Sequence, residues 1–174
     1  ARALGEHARG VALARMGRVD EAQEALARVE AAAKEIALAH TGDGDNNRML
    51  RDIGEMAAAR LRADIALVTQ RSDEALAAHA QAVAAAKRID DSEPPMLAAG
   101  ATLALGEAQL VLGRTAAAEA TFRADLQAQP ESGWALHGLA RALRAQDKTQ
   151  EAAAVRERLN RARPQADAAL KALG

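Results

Sequence analysis

Apolar residues recur along this chain three and four positions apart, the period of one face of a helix. Leu4, Ala8, Val11 and Leu13 mark a first helix over Ala3 to Met16, and Gly17 supplies its break. Ala22, Leu26, Val29, Ala33 and Ile36 mark a second that reaches about His40, with Asp20 and Glu21 in its first turn, where carboxylates complement exposed amides. Met49, Ile53, Met56, Ala57, Leu61, Ile65 and Val68 predict a third from Arg48 to Gln70. Asp73 and Glu74 open a fourth, with Ala75, Leu76, Ala82, Val83 and Ala86 on its buried face. Polar breakers separate these stripes. Thr41 to Asn47 reads as a loop, with Asn46 or Asn47 capping the next helix. Asp90 to Pro95 ends one helix and starts another, with Ser92 or Glu93 as cap.

The second half carries a longer period. Leu105, Gly106, Ala118 and Pro130 are followed 34 positions on by Leu139, Ala140, Ala152 and Pro164. A fixed spacing of this size marks stacked repeats, each a hairpin that cannot bury its apolar face alone. Each copy holds a small-residue-rich helix, a short turn (Gly113-Arg114, then Asp147-Lys148), a second helix and a proline that stops it. After Pro164, Ala168, Ala169 and Leu173 predict a short helix that covers the end of the stack.

Composition sharpens the fold class to all-α. The chain is 49% hydrophobic, but with one Trp, one Phe and no Tyr most of that share is alanine, the best helix former and the smallest helix contact. Strands favour the aromatic and β-branched residues that are scarce here. Charge is balanced at 23 basic against 24 acidic residues, which gives no net pull toward nucleic acid or anionic lipid. Without cysteine there is no disulfide, thiolate metal site or cysteine nucleophile. The longest nearly apolar run, Met96 to Gly106, falls short of the ~20 residues that span a bilayer. Composition leaves the compartment open between cytoplasm and periplasm. Residue 1 is Ala, as expected of a processed product or an excised piece.

These features resemble the tetratricopeptide repeat, a 34-residue hairpin with small residues at positions 8 and 20, an apolar or aromatic residue at 24 and proline at 32. Gly106, Ala118, Phe122 and Pro130 match in one copy; Ala140, Ala152 and Pro164 match in the next, where Arg156 departs at position 24. Earlier copies follow with Gly10, Ala22, Leu26 and Val29, then Ala63, Ala75 and Ala82. Ala22 to Ala75 spans 53 positions and Ala75 to Ala118 spans 43, the excess falling in the Gly/Asp/Asn loop and the Ser-Glu-Pro-Pro junction. The resemblance implies a right-handed α-solenoid in one domain, 1–174, with repeats at 3–36, 56–89, 99–132 and 133–166, an insert at 37–55 and a cap at 167–174. Phe122 to Leu126 with Pro130 to Gln146 is similar to the C-terminal part of a group of bacterial proteins of this family, except that Met96 and Leu97 stand where that group carries aromatics.

In this family the first helix of each hairpin lines a concave groove. Projected onto this chain, that groove shows His7 and Arg15, then Arg60 and Asp64, then Leu103, Glu107 and Leu110, then Trp134, His137, Arg141 and Arg144. The resemblance therefore implies a scaffold that binds a protein or peptide. Arg141 and Arg144 share a helix face with Trp134 two turns earlier, which suits an acidic segment with one apolar anchor. The carboxylate-clamp specificity is not expected, since Val11 and His7 occupy two positions that need Lys and Asn. Two other readings stand beside this one. One is a sensor or carrier that holds a small molecule or metal ion among Leu103, Leu110 and Met96; the other is a structural spacer or dimerisation module, so self-association stays open.

Other chemistry finds little support in the spacing. His7, His40, His79 and His137 offer no His-x3-His pair, and His40 and His79 are expected near helix ends on other surfaces, so no metal or other cofactor is expected. Asp43, Asp45, Asn46 and Asn47 lack the terminal bidentate Glu of a calcium loop. Gly42 and Gly44 follow no strand that would make a phosphate cradle. Asp90, Asp91 and Glu93 read as caps beside Pro94 and Pro95, and no Gly-x-Ser-x-Gly elbow is present; the expectation is a protein that is not an enzyme.

Overall fold

The computed structural model describes residues 2–42, 44–89 and 96–162. They form α1 (Arg2–Arg15), α2 (Val19–Ala39), α3 (Asp45–Val68), α4 (Ser72–Ile89), α5 (Met96–Val111), α6 (Thr115–Ala128), α7 (Gly133–Arg144) and α8 (Thr149–Ala162). Among the described residues there is no strand. The Ser92 and Glu93 caps, Asp43, Pro164 and the terminal helix expected at 167–174 lie outside the described residues.

One turn is built four times. Gly17, Gln70, Gly113 and Asp147 each take a left-handed backbone, with φ of 74°, 60°, 70° and 60°. The next residue is always basic, and its amide reaches back five residues: Arg18 to the Leu13 carbonyl, Arg71 to Ala66, Arg114 to Gln109 and Lys148 to Leu143, at 2.7–3.0 Å. This bond closes the first helix of each hairpin by satisfying a carbonyl that would otherwise lack a donor. The same basic residue's carbonyl then accepts from Ala22, Ala75, Ala118 or Ala152 in the first turn of the second helix. All four alanines are buried, as the small residue at repeat position 20 must be.

The residues that lengthen the first repeat go mostly into helix. Of the insert at 37–55, only 40–44 is a connection; the rest extends α2 to 21 residues and α3 to 24. Neither Asn46 nor Asn47 caps α3, which corrects that expectation. The N-cap is Gly44, with no side-chain bond, because the Asn47 amide oxygen accepts from His40 Nδ1 at 3.0 Å across the loop instead. Arg51 also braces this loop, donating to the carbonyls of His40 and Gly42.

The chain divides into two compact units, Ala1–Ala101 and Thr102–Gly174. In the first, Leu13, Ala14, Ala22, Ala25, Val29, Leu61 and Ile65 form the core shared by α1, α2 and α3. Gly10 lets α1 settle on α3: a Cβ there would lie 2.5 Å from a methyl of Leu61. Ala86, Ala98 and Ala101 pack with Met56 and Val83 in a smaller cluster. Arginines stitch the helices along the surface: Arg28 to Glu6 at 2.8 Å, Arg62 to Glu30, and Arg88 to Asp52 at 2.8 Å and Glu55 at 2.6 Å. Such exposed pairs contribute ~0–1 kcal/mol each, so the apolar clusters carry the fold.

The second unit is built around one ring. Phe122 of α6 is fully buried against Leu136, Leu139 and Leu143 of α7, with Leu103 and Leu110 of α5 packed on the same cluster. Gly106 and Gly138 clasp its edge; a Cβ on either would lie within 2.6 Å of ring carbons. At the surface Glu119 gathers Lys148 at 2.7 Å, Arg123 at 2.8 Å and Gln146 at 2.9 Å. These donors hold its carboxyl well below the usual range, at about 2, with the Lys148 hydrogen bond the largest cause.

Candidate functional site

α7 positions the main candidate. Ser132 caps the helix, its hydroxyl oxygen accepting from the Ala135 amide at 3.4 Å. Of the twelve residues of α7, eight are buried, and the four that are not are Trp134, His137, Arg141 and Arg144. At offsets of three, four and three they form one stripe down the helix. Trp134, at 60% exposure, leaves an indole face in water at the start of that stripe.

α5 supplies the neighbouring wall. Glu107 lies 34 residues before Arg141, at the same repeat position, and Arg141 Nη1 donates to both of its carboxylate oxygens at 2.8 and 2.7 Å. Arg141 is therefore neutralised within the chain, where spacing alone had it turned toward a partner. Leu103 and Leu110 give part of their surface to the Phe122 cluster, so Trp134 is more exposed than either of them. Met96, expected beside them, has no described side chain.

His137 sits half-buried among these charges. Burial lowers its pKa first, followed by Arg141; Arg144 and Arg156 add to the shift and Glu107 opposes it. The imidazole is thus neutral at neutral pH, within a surround of three guanidinium groups and one carboxylate. Arg156 was missed as a site residue, although its departure from the aromatic rule at position 24 was the available signal. On α8 it borders, with Arg144, Thr149, Glu157 and Asn160, an open trough of about 440 Å³ also lined by Ala152 and Ala153.

Arg60 and Asp64 belong to the first unit, and their site is described there by itself. They pair along α3 at 3.5 Å, and Arg60 Nε and Asp64 Oδ2 are buried without a hydrogen-bond partner. His79 of α4 faces this pair electrostatically. Its expected place near a helix end on the surface is corrected: it lies mid-helix and is 2% exposed. The reason is register. His79 precedes Phe122 by 43 positions, the Ala75–Ala118 offset, which puts it at the core position 24 of the second repeat.

The remaining histidines make structural bonds. His7 Nδ1 donates to the Ala57 carbonyl at 3.0 Å, joining α1 to α3, and His40 braces the loop already described. Among the described residues, no three His, Asp or Glu side chains converge as metal ligands, and no helix is long and apolar enough to cross a membrane.

Among the described residues, eight helices joined in hairpins by one recurring left-handed turn define a TPR-like helical-repeat fold. Solved structures agree. The chain is similar to MamA, a TPR-like protein, in the structure of MamA AMB-1, with 19% identity, a TM-score of 0.52 and coverage of 99% of this chain and 98% of that one. It is likewise similar to a point mutant of MamA, with 20% identity, a TM-score of 0.51 and coverage of 92% and 97%. At this identity the likeness shows the fold. No protein-family model matches the chain, and no curated protein matches it by sequence.

Proposed function

We propose that the chain is a protein-binding scaffold whose second unit holds an acidic segment of a partner along the α5–α7 wall. One observation carries the reading: the unburied residues of α7 are an aromatic, a histidine and two arginines, and nothing else. Trp134 supplies a rigid apolar anchor that costs little side-chain entropy to fix. Arg144 and Arg156 supply charge, and Arg141, held by Glu107, fixes the wall's register. A partner carboxylate meeting these guanidinium groups gains charge-assisted hydrogen bonds. The role is binding, without catalysis, and with neither nucleic acid nor membrane insertion as its target. Arg60 and Asp64 on α3 are a separate contact point for a partner, weaker because the two already pair.

The test is selection from a displayed peptide library with the wild-type chain, Trp134→Ala and Arg144→Glu. Wild type should enrich acidic peptides containing one large apolar residue. Each substitution should abolish that enrichment and leave the circular dichroism spectrum unchanged. Enrichment of the same peptides by all three proteins would remove the α7 stripe as the site.

A further inference from the structure

The second repeat holds a titratable ring at a place where the first and third hold hydrocarbon and the fourth holds Arg156. Repeat position 24 is Leu26 in the first repeat and Phe122 in the third, but His79 in the second. His79 is 2% exposed, and neither ring nitrogen has a hydrogen-bond partner. A neutral imidazole tolerates this placement at the cost of unmet hydrogen bonds, whereas an imidazolium adds a charge that the core cannot solvate. We infer that His79 is an acid switch for the first unit: protonation of the buried ring loosens the packing of α4 on α3.

The groups that face the ring are few. α3 presents Arg60, whose guanidinium repels a second cation, and Asp64, which attracts it but is already paired to Arg60. The described start of α5 that packs in this unit, 96–101, carries no titratable residue. α4 keeps its own charges, Asp73, Glu74, Lys87 and Arg88, in its first and last turns. Burial is the largest cause of a pKa lowered from 6.5 to about 4, then Arg60, with Asp64 opposing.

The sign follows from that direction. A histidine whose folded pKa is depressed contributes stability at pH above its unfolded pKa, and that stability is lost as pH falls from about 6.5 toward 4. Between pH 7 and pH 5 the closed-to-open ratio of the α3–α4 hairpin should fall roughly twentyfold from this ring alone. Most carboxylates remain ionised in that window, which isolates the histidine. Opening of this hairpin in mild acid would also release the Arg60–Asp64 pair it carries.

Amide-exchange protection factors of the full chain at pH 7 and pH 5 test this, for wild type and for His79→Leu, which installs the side chain that repeat one uses. In wild type the α3 and α4 amides should lose protection about twentyfold while those of α7 hold. In His79→Leu both should stay flat across the two pH values. An equal loss in the variant overturns the inference. Should that variant not fold, ring titration of wild-type His79 by NMR, assigned with His79→Gln, decides: titration below pH 5 with falling α3–α4 protection supports the switch, and titration near 6.5, or unchanged protection, overturns it.

Discussion

Adding one methyl group at Gly138 should destabilise the second unit, although alanine is the better helix former. A Cβ at Gly138 would lie 2.4 Å from Cζ of Phe122, 2.5 Å from Cε1 and 2.8 Å from Cε2. Carbon atoms rest about 3.5–4.0 Å apart, so the ring must retreat by about 1 Å. The same ring edge already meets Gly106, whose would-be Cβ lies 2.6 Å from both Cε1 and Cζ, and the ring is wholly buried. Overpacking of this kind costs about 1–3 kcal/mol, and an immobile ring places it near the upper end. Replacing a helical glycine with alanine returns about 1 kcal/mol. The net expectation for Gly138→Ala is a loss of about 2 kcal/mol. Gly100, in α5, has no atom within 4 Å of its would-be Cβ, so Gly100→Ala should gain about 1 kcal/mol. Urea unfolding followed by circular dichroism and by the fluorescence of Trp134, one turn from Gly138, measures both. Phe122→Leu removes the ring, and in that background Gly138→Ala should cost much less, a coupling of about 1–2 kcal/mol. A Gly138→Ala protein as stable as wild type, or a double variant with purely additive losses, would refute the glycine clasp.

Other outcomes follow from the same geometry. Gln70→Gly and Asp147→Gly should each raise stability by about 0.5–1 kcal/mol, since both residues hold a left-handed backbone that glycine adopts freely; thermal melts check this. Glu119→Gln should cost about 1–3 kcal/mol through weakened bonds to Lys148, Arg123 and Gln146. Because the folded pKa of Glu119 is depressed to about 2, its contribution is present above about pH 4.5 and is lost as pH falls toward 2, and urea midpoints of Glu119→Gln should lack that slope. Burial, followed by Arg141, lowers the pKa of His137, so its protonation in acid adds a positive charge to the α7 stripe. Calorimetric binding of an acidic peptide should tighten as pH falls below the ordinary histidine range in wild type, and stay level in His137→Gln.

The helices were legible because their causes are local. Alanine-rich stripes at helical spacing and Gly17 and Gly113 at the turns each act within a few residues, and the small residues at positions 8 and 20 were legible through their 34-residue period. Gln70 and Asp147 are less legible as left-handed residues, since only their register with Gly17 and Gly113 marks them. Contacts between helices were the harder part. The 34-residue offset of Glu107 and Arg141 was present in the sequence, but a charge pair across two helices reads as two separate surface charges until their faces are known. His79 shows the same limit. Its polarity suggested surface, while its register with Phe122 placed it in the core, and register prevailed because neighbouring helices leave no other side for it. Residue type alone makes Asn46 or Asn47 a cap, yet His40, seven residues before Asn47, claims that side chain.

The fourfold turn has a consequence for engineering. Each bend closes its own helix through a main-chain bond five residues back, and that bond lies wholly within the hairpin, although at the last bend Lys148 and Gln146 also reach Glu119 of the preceding one. Hairpins of this chain are therefore interchangeable parts at the level of the bend. A cassette running from one basic turn residue to the next could be duplicated, removed or moved to another array, and the hinge chemistry would travel intact with it.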